Sequence, residues 1–293
     1  MKCDLHCHSH YSFDSTQPVE DLIRRAKEAG ISVLAITDHN LISGSLEALK
    51  QNEVEIIPGI EIDCFCKDTI IHLTAYGMDF TDSRFTEWKE YYISELDRIG
   101  VLRLKLIEEK YNCKLNVDKI KSYTHFGYPY TNVEIEKILF EDCNHPDLLP
   151  YQIGDKCQNP IANFYWNHLA IGKWGYVEMI LPNYIDIINW IHEIKGVIIC
   201  AHPKVTIGKD MDTIQTLIDA GIDGFEVYCS YHDEEYANFY KEIVQKYGLL
   251  MTCGSDYHGA TKPNIELGQT GYNEDCTQIV AMLKEKIKEK HNQ

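Results

Sequence analysis

Histidines and carboxylates recur at the ends of short apolar segments of this sequence. His6 and His8 form one pair separated by a single residue, and Asp256 and His258 form a second. In an extended segment, residues i and i+2 point to the same side, so each pair can reach a single ion. Four further residues of the same chemical kind lie between the pairs: His39, Glu61, His72 and His202. Imidazole and carboxylate groups in this combination are typical ligands of divalent transition metals.

Each of these residues also has a purely structural interpretation. A single buried histidine is more often a hydrogen-bonded core residue than a ligand, Asp38 could cap a helix, and Asp256 could lie in a turn. Cys7 and Cys200 are assigned a packing role, because a free cysteine close to a strand usually packs. The repetition favours the metal interpretation, since a core does not bury ionisable groups repeatedly without compensation, and bound ions would provide it.

Short apolar segments alternate with amphipathic ones along much of the chain. This alternation is typical of βαβ units and predicts an α/β fold with a closed or nearly closed parallel barrel, or alternatively an open doubly wound sheet. The predicted strands are Lys2–Leu5, Val33–Thr37, Ile56–Ile62, Ile70–Gly77, Val197–Ala201, Gly224–Tyr228 and Leu249–Cys253. The predicted helices between them are Val19–Ala29, Ser45–Gln51, Asp210–Ala220 and Asp233–Tyr247. Because the carboxyl ends of barrel strands meet on one face, six of these seven strands would bring a His, Asp or Glu to one place.

The alternation stops between about residues 80 and 195. This part begins with a long charged helix, predicted over 83–111, and is rich in aromatic residues. We therefore expect two parts, a barrel domain over 1–80 and 196–293 and a helical insertion over 81–195 that packs as a cap. Trp166 and Trp174 of the insertion could stack on a nucleobase, although a role in the core of the insertion is favoured.

Composition narrows the class of protein further. The chain has 45 acidic and 28 basic residues, for a formal net charge of −17, which disfavours a general duplex-DNA binder. No apolar run approaches the roughly 18 residues that a membrane span needs. The 11 cysteines include no CxxC pair, and the first residues lack the apolar segment of a secretion signal. We expect a cytoplasmic globular protein with reduced thiols and no membrane partner.

The ordered motifs of the chain resemble those of one known family. HxH near the N-terminus, TDH, GIE, an isolated His, AHP and GSDxHG together resemble the PHP (polymerase and histidinol phosphatase) superfamily of metal-dependent phosphoesterases. The resemblance covers roughly residues 1–79 and 196–268, and not the insertion. The layout is most similar to the branch of 3′,5′-bisphosphate nucleotidases and YciV/TrpH-type proteins. It implies a distorted seven-stranded (β/α)7 TIM-like barrel with a mainly helical insertion.

The same resemblance implies two or three divalent metal ions and their ligands. Carried over to this sequence, the ligand sets are His6, His8, Glu61 and Asp256 for one ion, Glu61, His72 and His202 for a second, and Asp14, His39 and His258 for a third. Asp14 is the loosest match, because several relatives have their acid one residue earlier, where this chain has Phe13. Mixed imidazole and carboxylate ligands suit Mn, Fe or Zn better than Mg or Ca, and the resemblance favours Mn.

The chemistry that such a cluster implies is hydrolysis of a phosphate ester. Two or three ions would hold the phosphoryl group and lower the pKa of a bridging water, and the resulting hydroxide would attack phosphorus in line. Asp256 and His258 are assigned to catalysis as well as to the metal. The expected substrate is a small phosphorylated molecule, foremost a nucleotide carrying a mono-, 3′,5′-bis- or cyclic phosphate.

Other residues near the motifs are candidate substrate contacts. Lys204, Ser230 and Asn264 could bind the substrate, and His232 and Lys262 could line the same pocket. Three alternatives to the nucleotide assignment remain at this point. The chain could be a histidinol-phosphate phosphatase, a 5′→3′ exonuclease on short RNA, or a binding module that no longer turns substrate over.

Overall fold

The structure is a computed structural model that describes residues 1–124 and 128–292. The chain divides into two compact units. One comprises Met1–Phe85 with Leu181–Gln293, and the other comprises Thr86–Ile180. Residues 81–85 and 181–195, which the sequence pattern assigned to the insertion, therefore group with the first unit. Among the described residues, every helix is too short or too polar to cross a membrane.

The described residues form strands and helices in a mixed order. The strands are β1 (Cys3–Cys7), β2 (Val33–Ile36), β3 (Glu55–Ile56), β4 (Gly59–Cys66), β5 (Thr69–Tyr76), β6 (Val197–Cys200), β7 (Gly224–Cys229) and β8 (Leu250–Gly254). The helices are α1 (Val19–Glu28), α2 (Ser43–Ala48), α3 (Arg84–Tyr111), α4 (Val117–Lys121), α5 (Asn132–Asp142), α6 (Leu149–Gln152), α7 (Pro160–Phe164), α8 (Tyr184–Glu193), α9 (Pro203–Thr206), α10 (Met211–Asp219), α11 (Glu234–Tyr247) and α12 (Thr277–Asn292). Short 3₁₀ turns occupy Pro146–Leu148 and Gly259–Thr261, and a π-helical turn occupies Tyr165–Leu169.

The strands pair as two sheets. The first has the order β1-β2-β3 and is parallel, and the second has the order β4-β5-β6-β7-β8. In the second sheet β5 is antiparallel to both of its neighbours, whereas β6, β7 and β8 are parallel. The prediction of an α/β fold is confirmed. The closed seven-stranded barrel is not confirmed, because the hydrogen-bonded strands of the described residues form sheets of three and five strands.

Two local features explain this difference. Pro58 interrupts the segment predicted as the single strand Ile56–Ile62, so that β3 ends before it and β4 begins after it. Proline has no backbone N–H to donate to a strand ladder, and it is therefore excluded from the middle of a paired strand. The next two strands, β4 and β5, are joined by a two-residue turn as an antiparallel hairpin, and a βαβ crossover is absent at that point.

The two sheets nevertheless meet at the carboxyl ends of their strands. Isolated bridges join Cys7 to Tyr257 and His39 to Glu61. Next to β8, the backbone N–H of Asp256 donates to the carbonyl of His6 at 2.8 Å. The strand ends therefore surround a common centre, as the sequence analysis expected.

Apolar residues at helical and strand spacing hold the first unit together. In α1 the buried residues Val19, Leu22, Ile23 and Ala26 recur every three or four positions and face the sheet. Each large aliphatic side chain of this kind stabilises the fold by about 1.5–3 kcal/mol when fully buried. A second cluster lies beneath β1, β6 and β8 and includes Leu5, Ile199 and Leu283 of α12. These two hydrophobic clusters pack against the strands and hold the strand ends in place.

The second unit has a hydrophobic core of its own. Tyr111, Ile138, Leu148 and Phe164 are among its buried members. The helix α5 begins with a capping box, in which Thr131 and Glu134 bond to each other's backbone. Trp166 is 65% exposed and therefore lies outside the core that the sequence pattern favoured for it.

Candidate metal centre

Glu61 of β4 lies at the centre of a cluster of imidazoles. Its side chain is fully buried, and its Oε1 lies 3.1 Å from His72 Nδ1 and 3.0 Å from His202 Nε2. Its Oε2 lies 3.1 Å from His6 Nε2 and 3.1 Å from His8 Nε2. His39 Nδ1 lies 3.4 Å from Oε2 as well, so this one carboxylate faces ring nitrogens from β1, β2, β5 and β6 or their ends, two on Oε1 and three on Oε2.

Asp256 closes the cluster from the end of β8. Its Oδ1 lies 3.1 Å from His8 Nε2 and 3.3 Å from His6 Nε2. The two ring nitrogens Nε2 of His6 and His8 are themselves only 3.2 Å apart. Ligands bound at about 2.1 Å to one ion lie at about this separation from each other. The spacing of these atoms therefore fits a shared metal ion.

The tautomer of His6 gives a second test of that fit. Its Nδ1 lies 3.2 Å from Glu226 Oε1, and a carboxylate can only accept, so Nδ1 carries a proton. A neutral ring then presents a lone pair at Nε2, and this atom faces the oxygens of Glu61 and Asp256. Lone pairs that face each other without a cation between them repel. A divalent ion at this point turns the same arrangement into coordination.

Asp14 belongs to a neighbouring part of the cluster. Its Oδ2 lies 3.2 Å from His258 Nε2 and 3.8 Å from His39 Nε2. His258 Nδ1 lies 2.8 Å from the carbonyl oxygen of Asp256 and must donate to it, which leaves the lone pair of Nε2 directed at Asp14. The other oxygen of Asp14 is buried without a hydrogen-bond partner among the described residues. Asp14, the loosest of the matches to the family motifs, therefore lies beside His39 and His258, the residues with which it was grouped.

All nine predicted ligands lie in groups whose donor atoms are within 4.8 Å of one another. The groups are His6, Glu61, His202 and Asp256; His8, Asp14, His39 and His258; and His39, Glu61 and His72. The grouping differs from the expected one in three places. His202 joins His6 and Asp256, His8 joins Asp14, and His39 joins Glu61 and His72 as well as Asp14. Glu61 belongs to two groups, which fits a bridging carboxylate.

Residues behind the cluster orient the imidazole rings. Ser12 Oγ lies 2.9 Å from His8 Nδ1, and Glu226 holds His6 in the same way. Asp63 Oδ1 lies 3.2 Å from His39 Nδ1 and 3.6 Å from His72 Nε2. Such partners fix the tautomer and direction of ligand rings. Ser12 and Asp63 were not predicted from the sequence, although Asp63 stands two residues after Glu61 on the same strand, the spacing that identified the histidine pairs.

Asp38 has a structural role different from the predicted helix cap. It accepts hydrogen bonds from the backbone N–H and the hydroxyl of Ser9, at 2.6 and 2.7 Å. The first turn of α2 approaches it so closely that a Cβ at Gly44 would lie 2.0 Å from its Oδ2. Burial raises the pKa of Asp38 to about 6, against the opposing effect of Ser9. Asp38 thus anchors the loop that follows His8.

The charges of the cluster depend strongly on one another. Burial by itself would lower the pKa of His39, but Glu61, Asp14 and Asp63 raise it to about 10. The pKa of His8 falls to about 4, because burial and the neighbouring His258 both disfavour its charged form. Burial opposes ionisation of Glu61, yet the surrounding imidazoles hold its pKa well below the usual range. The Glu61 carboxylate therefore stays ionised among imidazoles, of which His39 favours its charged form and His8 its neutral form.

The backbone is strained at several of these positions. Asn40, His202 and Asp256 have φ angles of 59°, 28° and 56°. Positive φ is uncommon for residues other than glycine, and such residues cluster at functional sites. Asn40 supports the cluster from behind, since its side chain donates to Asp63 at 2.9 Å.

The predicted substrate contacts lie in varied surroundings. Lys204 Nζ donates to Asp233 at 2.7 Å, and Ser230 Oγ is buried without a hydrogen-bond partner among the described residues. Asn264 is exposed. Lys262, by contrast, reaches the cluster, where its Nζ lies 2.6 Å from Asp256 Oδ2. His232 donates through Nδ1 to the carbonyl of Val227 at 2.8 Å.

Comparisons with known proteins agree with the motifs. A family model described as the PHP domain matches residues 4–137. The chain is 27% identical over 266 residues to a 5′-3′ exoribonuclease of Haemophilus influenzae, covering 88% of this chain and 90% of that protein. It is 22% identical over 281 residues to a 3′,5′-nucleoside bisphosphate phosphatase of Chromobacterium violaceum, covering 91% and 90%. It is 23% identical over 269 residues to a phosphoribosyl 1,2-cyclic phosphate 1,2-diphosphodiesterase of Eggerthella lenta, covering 87% and 94%.

Solved structures share the fold over almost the whole chain. A protein of Bifidobacterium adolescentis, described as a metal-dependent phosphoesterase, superposes with a TM-score of 0.77 at 20% identity and covers 97% of this chain and 96% of its own. A protein of Chromobacterium violaceum, described as an amidohydrolase, also gives a TM-score of 0.77 at 20% identity and covers 98% and 97%. At this identity the likeness establishes the fold alone.

Proposed function

From the PHP domain that this chain carries, we propose that the protein is a metal-dependent phosphoesterase that hydrolyses a small phosphorylated molecule, foremost a nucleotide. The observation that carries the proposal is the convergence of imidazole and carboxylate donors on Glu61, with the lone pair of His6 Nε2 directed at two carboxylates. Donors that face each other in this way repel unless a metal cation, or a second proton on the ring, lies between them.

The residues present fit two or three divalent ions, and we favour Mn over Fe or Zn. The three donor groups around Glu61 and Asp14 would hold them, with Glu61 shared between two groups. Bound ions supply positive charge for the phosphoryl oxygens and lower the pKa of a water that serves as the nucleophile. The protein's own contribution is to orient the donors. Glu226 keeps the proton of His6 on Nδ1, and the Asp256 carbonyl keeps that of His258 on Nδ1.

The substrate class is inferred from the relatives together with the site. The names of the three relatives all specify phosphate esters of a nucleoside, of ribose or of RNA. A phosphorylated ribose is the feature that these substrates have in common, and a nucleotide contains it. For the contacts outside the metal centre, we retain Lys204, Ser230 and Asn264 as candidates, of which Ser230 has a buried hydroxyl available for a ligand.

One assay tests the reaction and the substrate together. Phosphate release by the Mn-loaded protein is measured on nucleoside 5′- and 3′-monophosphates, 3′,5′-bisphosphates, cyclic phosphates and histidinol phosphate, with a chelator control. We expect a chelator-sensitive rate on one nucleotide class far above the others. A dominant rate on histidinol phosphate would overturn the nucleotide assignment, and bound metal with no release from any compound would favour a silent binding module.

A second candidate function is a 5′→3′ exonuclease on short RNA. The specific observation in its favour is the match to exoribonucleases, one of which is 24% identical over 277 residues in Escherichia coli. The net charge of −17 disfavours long polyanions but does not prevent binding of an oligonucleotide whose end reaches the metal centre. Stepwise shortening of a labelled oligoribonucleotide, faster than phosphate release from any mononucleotide, would establish this function instead.

A further inference from the structure

Two side chains outside the nine candidate ligands hold one oxygen of Asp256. The hydroxyl of Tyr231 donates to Oδ2 at 2.5 Å, and the ammonium of Lys262 donates to the same oxygen at 2.6 Å. Lys262 also donates to the hydroxyl of Tyr231 at 3.0 Å, which closes a triangle of three polar groups. The other oxygen, Oδ1, faces His6 and His8. The two oxygens of this carboxylate therefore have separate partners.

The rest of Asp256 is fixed as well. Its backbone N–H donates to the carbonyl of His6 at 2.8 Å, and its φ of 56° is one that few residues adopt. With the backbone held, the carboxylate retains only rotation about its own side-chain bonds. The two hydrogen bonds to Oδ2 oppose that rotation. We propose that Tyr231 and Lys262 are positioning residues, which hold Asp256 so that it offers Oδ1 alone to a metal ion.

This proposal rests on the metal centre of the proposed function, and the neighbouring ligands support it. Glu226 orients His6, and Ser12 orients His8, each through the ring nitrogen that points away from the cluster. Asp256 is the carboxylate ligand beside these two rings. The Tyr231–Lys262 pair orients its carboxylate, as Glu226 and Ser12 orient the rings. Partners of this kind typically change metal affinity by about 10–100-fold when they are lost.

Lys262 is charged and Tyr231 is neutral, so substitutions can distinguish the effect of charge from the effect of the hydrogen bonds. Removal of the Lys262 ammonium deletes its hydrogen bonds to Asp256 and Tyr231 but also makes the cluster more negative, which by itself attracts a divalent cation. Removal of the Tyr231 hydroxyl deletes a hydrogen bond and leaves the charge unchanged. The clean test is therefore Tyr231→Phe, with Lys262→Arg as the variant that keeps both charge and donors. Tyr236→Phe is the matched control, because its ring packs near Lys204 and Lys209, and it is not a partner of Asp256.

Titration calorimetry with Mn²⁺ on the metal-stripped full chain measures the effect, and thermal melting in chelator checks that each variant is folded. We expect Tyr231→Phe to weaken the tightest Mn²⁺ site by about 10-fold or more. Lys262→Arg and Tyr236→Phe should bind Mn²⁺ within a factor of about 3 of the unmodified protein, below the effect expected of a lost partner. An unchanged Mn²⁺ affinity in folded Tyr231→Phe would overturn the proposal. A higher KM for a nucleotide with unchanged Mn²⁺ affinity and kcat would also overturn it, because the pair would then contact substrate.

The two proposals fail in distinguishable ways. Weakened Mn²⁺ binding by Tyr231→Phe, in a protein that releases phosphate from nothing in the panel, would overturn the phosphoesterase function and still support the positioning pair. Full phosphoesterase activity together with unchanged Mn²⁺ binding by Tyr231→Phe would overturn the positioning pair alone.

Discussion

His6 shows why a metal centre is a better account of the cluster than a buried hydrogen-bond network. Its Nδ1 proton is directed at Glu226, so the ring has nothing left to donate to Glu61 unless it takes a second proton. In the absence of a cation, the ring can only be tolerated as an imidazolium, and the neighbouring Glu61 and Glu226 do raise its pKa well above the ordinary value despite full burial. A metal ion bound at this position would therefore compete with a proton.

The first prediction concerns the ligands themselves. His6→Ala or Asp256→Asn should lower phosphoesterase turnover by more than about 100-fold, beyond the loss typical of residues that only orient a ligand. The physical reason is that each variant removes a donor from the group around Glu61. Steady-state turnover of the Mn-loaded variants, with circular dichroism as the folding control, measures this. Near-normal turnover in a folded, metal-loaded variant would refute the assignment.

The second prediction concerns Glu226. Its isosteric replacement Glu226→Gln keeps the volume but places an amide N–H₂ where two donors, His6 Nδ1 and the N–H of His202, need an acceptor. We expect metal affinity and kcat to fall together by about 10–100-fold. Calorimetry with Mn²⁺ and steady-state kinetics measure the two effects, and a folded variant with unchanged values in both would show that Glu226 does not orient His6.

At this scale the sequence predicted which residues come together where their type and spacing were informative. His6 and His8 stand at i and i+2 at the end of β1, and Asp256 and His258 have the same spacing after β8, although the φ of 56° at Asp256 is not that of an extended chain. The structure places all four close together. Asp63 had the same signal and was overlooked. Ser12 had none, because its contact with His8 depends on the path of the loop between residues 9 and 15, which no local pattern encodes.

At the scale of elements, the strand ends were predictable but the pairing of the strands was not. Predicted helices such as Asp233–Tyr247 are confirmed by α11, which begins after the cap Asp233 and ends at Gly248 with φ of 66°. The break at Pro58 could have been inferred from its missing N–H. The antiparallel hairpin of β4 and β5 could not, because alternation of apolar residues does not show the direction in which a strand pairs.

The third prediction concerns Asp223, which ties several elements together just before β7. It accepts from the N–H of Ile198 in β6 at 3.0 Å and pairs with His192 of α8 at 2.9 Å and Lys290 of α12 at 3.1 Å. Burial alone would raise the pKa of its carboxyl, but these partners lower it. Asp223→Asn should therefore cost about 1–3 kcal/mol of unfolding free energy at neutral pH.

The sign of the pH dependence follows from the direction of that shift. A carboxylate whose folded pKa lies below its unfolded value stabilises the protein above the unfolded pKa, here 3.8, and loses that contribution as pH falls through the folded pKa. The difference in urea stability between the unmodified chain and Asp223→Asn should therefore shrink as the pH is lowered below about 4. A difference that stays constant from pH 7 to pH 3 would contradict this account.

At the scale of the whole molecule, the candidate ligands extend from residue 6 to residue 258 of the chain. The unfolded chain does not hold them together, so a bound metal would strongly favour the native state. The fourth prediction is that Mn²⁺ at 100 times its dissociation constant raises the unfolding free energy by about 2.7 kcal/mol for each site filled. Melting curves with and without chelator measure this, and His6→Ala should show a smaller shift. An equal shift in His6→Ala would place the bound metal elsewhere.

The strained backbone at Asn40, His202 and Asp256 has a consequence for laboratory evolution of this protein. Residues in such conformations cost about 1–3 kcal/mol each, which the rest of the fold must offset. A library selected only for heat resistance would therefore accumulate replacements that relax these turns, glycine at position 40 among the simplest, and would drift towards robust but inactive variants. Retaining activity during such a selection requires that turnover be screened in every round.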